Sequence, residues 1–102
     1  LLVIDISNPA YPSIIGSVDT LSKTQAVYVS GFYAYVTIGS LGLQVVDIST
    51  PSSPAMIGSV DTPSYAKDVY ISGSNAYVAD GDLGLQVIDI SSLSSLAIIG
   101  SV

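Results

Sequence analysis

One block of about 20 residues occurs three times in this chain at a fixed interval. Residues 1–20 read LLVIDISNPAYPSIIGSVDT, residues 43–62 read LQVVDISTPSSPAMIGSVDT, and residues 85–102 read LQVIDISSLSSLAIIGSV. Leu1, Leu43 and Leu85 stand 42 positions apart, as do Asp5, Asp47 and Asp89, and Gly16, Gly58 and Gly100. The segments between them also match, AVYVSGFYAYVTIGSLG at 26–42 against DVYISGSNAYVADGDLG at 68–84, with no insertion or deletion. Such a period constrains the fold severely. Each copy must be one supersecondary unit that buries its faces by stacking on its neighbours.

Within a period the strand signals are short runs of β-branched and aromatic residues: Val69-Tyr70-Ile71, 76–79, 85–90 and 97–102. Turn formers separate them, at 72–75, 80–84 and 91–95. No window carries apolar residues at helical spacing for three turns, which excludes a helical repeat. The four strands, A to D in order, have connections short enough for hairpins, so each period is predicted to be a four-stranded antiparallel meander. Both faces carry apolar residues, as in Val27-Tyr28-Val29 and Val45-Val46, so the sheets should be covered on both sides. Four strands in about 40–45 residues mark a β-propeller blade. The expected order is a C–D half of a blade at 1–20, a complete blade at 21–62 and another at 63–102. Closed propellers take about four to eight blades. The expected structure is therefore an incomplete segment, an arc of a larger propeller. It should expose an apolar sheet face at each end and an unpaired strand edge. The opening Leu1-Leu2-Val3-Ile4-Asp5 reads as mid-strand, without a secretory signal.

LLVIDIS, LQVVDIS and LQVIDIS, each followed by a Ser/Pro-rich loop and an (I/M)IGSV strand, resemble the LVIVD repeat, as does the A–B stretch VYxSGxxAYV. The resemblance spans the whole chain. It implies a β-propeller within secreted or surface-attached proteins of bacteria and archaea, and it implies no catalytic residues. The third copy departs at Leu93 and Leu96, where the others have Pro9, Pro12, Pro51 and Pro54, so its C–D loop is where a different conformation would be expected.

Composition removes several function classes. Cysteine and histidine are absent, leaving no thiolate or imidazole chemistry, no ordinary zinc site and no disulfide framework. Eight Asp face two lysines, Lys23 and Lys67, for a net charge of -6. Two separated lysines cannot neutralise a run of phosphates, so no nucleic-acid partner is expected. The mean hydropathy of +0.65 is high. A membrane span needs roughly 18 consecutive apolar residues. Ser, Gly, Asp and Thr interrupt every run here, so no membrane insertion by this segment is expected.

Asp5, Asp47 and Asp89 close strand C in every copy. They could form a ring of cation-binding carboxylates, but a residue present in every blade reads first as scaffold, accepting N–H bonds from the Ser-rich loop that follows. Asp80 and Asp82, in Asp-Gly-Asp-Leu-Gly, are the nearest approach to a calcium loop. The spacing is incomplete and the preceding copy reads Ile-Gly-Ser-Leu-Gly, so an Asp-Gly hairpin turn accounts for the same residues with less. No motif implies a cofactor. Tyr28, Tyr35, Tyr70 and Tyr77 occupy equivalent positions and should pack between blades. Tyr11, Phe32, Tyr33 and Tyr65 have no aromatic counterpart, which marks loop positions the scaffold leaves free for a sugar or protein contact.

Because strands alternate in direction, the D–A loops (19–25 and 61–67) share one end of the sheets with the B–C loops (37–42 and 79–84). That end gathers Asp19, Lys23, Asp61, Tyr65, Lys67, Asp80 and Asp82, and is the expected place for a ligand or partner. Serines abound with no histidine to activate one, and no spacing selects a carboxylate pair, so catalysis is not expected. The expected function is a structural or interaction repeat of an extracellular or cell-surface microbial protein. Its partners would be remaining blades of the parent chain, other copies, or a protein or glycan. A carbohydrate- or protein-binding propeller is the alternative.

Overall fold

A computed structural model of the chain describes residues 1–20 and 22–102. Position 21, within the first D–A loop, lies outside the described residues. Among the described residues ten strands form three antiparallel sheets. A half-blade pairs β1 (Leu2–Asp5) with β2 (Ser13–Ser17). The middle blade runs β3 (Ala26–Ser30), β4 (Tyr33–Thr37), β5 (Leu43–Asp47) and β6 (Ala55–Val60). The third blade runs β7 (Ala66–Ser72), β8 (Asn75–Asp80), β9 (Leu85–Asp89) and β10 (Ala97–Ser101). In both complete blades spatial order equals chain order, which is the expected meander.

The registers repeat as the sequence does. Tyr28, Tyr35, Val45 and Gly58 lie side by side across the middle blade, and Tyr70, Tyr77, Val87 and Gly100 across the third. Each copy also has a bulge between strands C and D, with Ile15, Ile57 or Ile99 as the extra residue. All three isoleucines are exposed, because a bulged residue leaves the in–out alternation of its strand.

The middle blade is covered on both sides, as a sheet with two apolar faces requires. On one side Tyr35, Leu43 and Val45 pack against Val69, Ile71, Ala76, Val78 and Ile88 of the third blade. On the other, Ala34, Val36, Ile38 and Val46 pack against Leu1 and Val18 of the half-blade. An isolated bridge between Gly39 and Ala66 ties the two complete blades at one end.

Neighbouring blades also meet through the C–D loops. The carbonyl of Pro51 lies over Gly16, and the carbonyl of Leu93 over Gly58, each where a Cβ would otherwise stand. This is why a strand position carries glycine. Leu93 and Leu96 do not change their loop. The Ser95 N–H donates to the Ser92 carbonyl (3.0 Å), as Ser53 does to Thr50 (2.8 Å) and Tyr11 to Asn8 (2.9 Å). The turn depends on that backbone bond and not on proline, and the two leucines pack against the core between blades.

Among the described residues one segment is neither strand nor simple turn: a three-residue 3-10 turn, Gly81–Leu83. The β8–β9 connection is thus a hairpin, but a wider one than a two-residue Asp-Gly turn. The Asp80 N–H donates to the Gly84 carbonyl at 2.7 Å, and Ile38 to Gly42 at 2.8 Å in the middle blade. No helix among the described residues is long and apolar enough to cross a membrane.

Candidate functional site

The D–A and B–C loops do gather at one end, but they treat the expected residues differently. Asp19, Lys23, Asp61, Lys67 and Asp82 are exposed. Tyr65 is exposed yet held in place. Its ring lies where a side chain on Gly39 would stand, and its hydroxyl accepts a hydrogen bond from the Gln25 Nε2 at 3.3 Å. Tyr65 therefore joins the third blade's D–A loop to two loops of the middle blade.

Asp80 is not at the surface. It is fully buried, at the position held by the equally buried Ile38 in the middle blade. Its Oδ2 accepts the Ser64 N–H at 3.1 Å, and Gly81 packs against Ser64 and Tyr65, so the carboxylate fastens the D–A loop to the B–C loop. Its Oδ1 is buried with no hydrogen-bond partner. Asp80 thus presents no oxygen to a ligand at the loop end. Among the described residues no three carboxylates converge, and Asp82 sits apart on the exposed 3-10 turn.

The other end carries the repeated aspartates. The Ser7, Ser49 and Ser91 N–H groups each donate at 2.8 Å to Oδ1 of Asp5, Asp47 and Asp89 respectively, closing three equivalent Asx turns. The Ser7 N–H, then its hydroxyl, holds Asp5 below the ordinary carboxylate value of 3.8. The hydroxyls of Ser49 and Ser91, then their N–H groups, do the same for Asp47 and Asp89. A carboxylate whose folded value is depressed contributes stability above its unfolded value, lost as pH falls through the folded one. The urea midpoint should be level from about pH 7 to 5 and drop below 3.8. Replacing all three by Asn, which keeps an acceptor but does not titrate, should make the acid limb shallower. An unchanged acid limb in that variant would remove these turns from the account.

The aromatic positions without counterparts divide. Tyr11 and Phe32 are exposed at this second end, whereas Tyr33 is half-buried, because it opens β4 and packs against the core between the complete blades. Of the four equivalent tyrosines, Tyr28 and Tyr35 pack between blades. Tyr70 and Tyr77 line the open side of the third blade, and the Tyr70 ring meets Tyr28 edge to face at 5.3 Å between centroids. Burial, with Tyr33 alongside, pushes the Tyr35 hydroxyl above its ordinary value.

The two expected open apolar faces are both present. Val27 and Val29 on β3 are 50% and 58% exposed, while their equivalents one period on, Val69 and Ile71, are 6% and 8% exposed beneath the middle blade. At the opposite side Tyr70, Tyr77, Ala79 and Leu85 line an open face of the third blade. The signal for both was the repeat itself, since residue pairs 42 apart carry the same chemistry but meet different surroundings.

The LVIVD repeat family model matches at three places, residues 1–20, 22–62 and 63–102. The chain belongs to the LVIVD repeat family. No curated protein matches it. The three matches coincide with the three sheets, so the family's repeat and the sheet are the same unit in this chain.

Proposed function

We propose that this LVIVD chain is a non-catalytic structural and interaction module of an extracellular or cell-surface microbial protein. It would work by stacking with blades of its own kind, in a larger propeller or an assembly. The carrying observation is the internal comparison: surfaces buried between the two complete blades recur, uncovered, on β3 and on the outer side of β7–β10. Contiguous apolar patches of this sort mark interaction surfaces. The cysteine-free, serine-rich, acidic composition agrees with secretion by a microbe. Sedimentation velocity over rising protein concentration should show reversible association, weakened by Leu85→Asp at the outer face, and a glycan array should show no hits. A monomer at every concentration that binds one sugar overturns this reading.

A ligand-binding role for the loop end has one observation in its favour, the anchored Tyr65 ring flanked in sequence by Lys67. A fixed aromatic with a polar tip suits a sugar or protein contact. Under that reading Tyr65→Ala abolishes binding of the glycan or protein found, with the fold intact.

A further inference from the structure

Two side-chain oxygens buried at the loop end of the third blade, Thr62 Oγ1 and Asp80 Oδ1, have no hydrogen-bond partner among the described residues. Thr62 is 6% exposed and Asp80 0%. Neither residue lines either open apolar face. A buried oxygen of this kind is destabilising unless something bonds it, because its hydration has been lost without replacement. We infer that one buried water molecule bridges the two, donating a hydrogen bond to Asp80 Oδ1 and accepting one from the Thr62 hydroxyl. The water completes the fastening of the 62–66 turn, which carries the Tyr65 ring over Gly39.

The preceding copy satisfies the same positions within the protein. There Thr20 Oγ1 donates to the Ser22 carbonyl and meets the Thr24 hydroxyl, both at 3.1 Å. One period on, Ala66 stands in place of Thr24 and has no hydroxyl to offer. Ile38 fills the place of Asp80, equally buried, and an apolar side chain there needs no partner. Two exchanges therefore go together. Alanine at 66 orphans the Thr62 hydroxyl, and aspartate at 80 brings a carboxylate beside it. The strand register supplies the juxtaposition. Ala66 pairs with Asp80 across β7 and β8, and directly opposite residues of an antiparallel pair hold their Cβ atoms about 4.5–5.5 Å apart. A hydroxyl that reaches position 24 in the preceding copy thus reaches position 66 here, next to Asp80. Ser64, between Thr62 and Ala66 in the chain, ties the turn to the other carboxylate oxygen by its N–H at 3.1 Å. Room comes from the exchange at 80, since aspartate is smaller than isoleucine by more than the roughly 30 Å³ a water molecule takes up in the liquid. A place that is enclosed, polar and of that size suits water. A hard cation wants about six or more oxygens, and no cluster of three carboxylates forms among the described residues.

The test is a high-resolution crystal structure of the 102-residue chain, with water–amide NOE and ROE spectra of the same protein in solution. The expected result is one ordered water within hydrogen-bond reach of both Asp80 Oδ1 and Thr62 Oγ1, and a long-lived water signal at the Ser64 and Tyr65 amides. Thr62→Val keeps the shape of the side chain and removes one of the two supports. It should abolish the water signal and speed hydrogen exchange at the Ser64 amide roughly tenfold, whereas Thr62→Ser should retain both the signal and the protection. Should Thr62→Val fail to fold, the density and spectra of the parent chain decide alone. A direct hydrogen bond between Thr62 Oγ1 and Asp80 Oδ1 with no water between them, density for a metal ion at that place, or an undiminished water signal in Thr62→Val overturns the inference. None of these readouts measures association between chains, so this site and the stacking reading fail separately.

Discussion

Gly58→Ala should cost about 3 kcal/mol, lowering Tm by roughly 12 °C or more, while Gly100→Ala should cost nothing. The two glycines occupy the same repeat position on strands β6 and β10, opposite Val45 and Val87. Neither is among the glycines with positive φ, so backbone conformation gives no reason to require glycine at either. They differ in what approaches them. A Cβ at Gly58 would run into the Leu93 carbonyl of the third blade, whereas at Gly100 the nearest atom would be a Val87 side-chain carbon at 3.8 Å. A main-chain carbonyl cannot rotate away as a side chain can. The C–D loop must retreat, drawing Leu93 and Leu96 off the core they pack against. Overpacking of this kind typically costs 1–3 kcal/mol. At Gly100 the added methyl makes an ordinary contact with Val87 and trims the freedom of the unfolded chain, so the change is neutral or stabilising by about 0.4–1 kcal/mol. Thermal melts of the two variants decide the matter. Equal losses would mean that strand D needs glycine for itself, and that contact between blades is not the reason.

The contrast also shows which features could be read before any coordinates. Strands, meander order and Asx turns are local, and each is written two or three times, so periodicity and turn chemistry suffice. The same holds for the mutual packing of Tyr28 and Tyr35 with the next blade. What escaped was set by contacts between copies. Asp80 looks like a surface acid because Asp usually is one, but its loop folds under Ser64 and Tyr65 and takes the buried place of Ile38. The alignment of Asp80 with Ile38 was the visible sign. The exposure of Ile15, Ile57 and Ile99 comes from a bulge, a one-residue shift in register that hydrophobic pattern does not encode. Proline at 51 and 54 suggested a loop shaped by those residues, yet Leu93 and Leu96 preserve it, because its closing hydrogen bond is between main-chain atoms. The loop end was legible as a location. Which of its carboxylates reach solvent was not.

Leu43→Ala should cost about 3–4 kcal/mol in the isolated chain, against less than about 1 kcal/mol for Leu85→Ala. Both residues begin strand C, 42 positions apart, and both side chains point to the side of their sheet that faces the next blade. Leu43 is 0% exposed under the third blade, and Leu85 is 37% exposed on the open face. Truncating Leu43 removes buried surface and leaves a cavity in the core between the two complete blades. Truncating Leu85 removes area that is already partly wet. Urea unfolding at low protein concentration measures this intrinsic difference. At high concentration the comparison becomes a test of stacking. If a further blade covers the third blade as the third covers the middle one, Leu85 then acquires the surroundings of Leu43, and Leu85→Ala should lose association where Leu43→Ala loses stability. A Leu85→Ala variant that associates as the parent does would show that the open face is covered by something other than a blade, or by nothing.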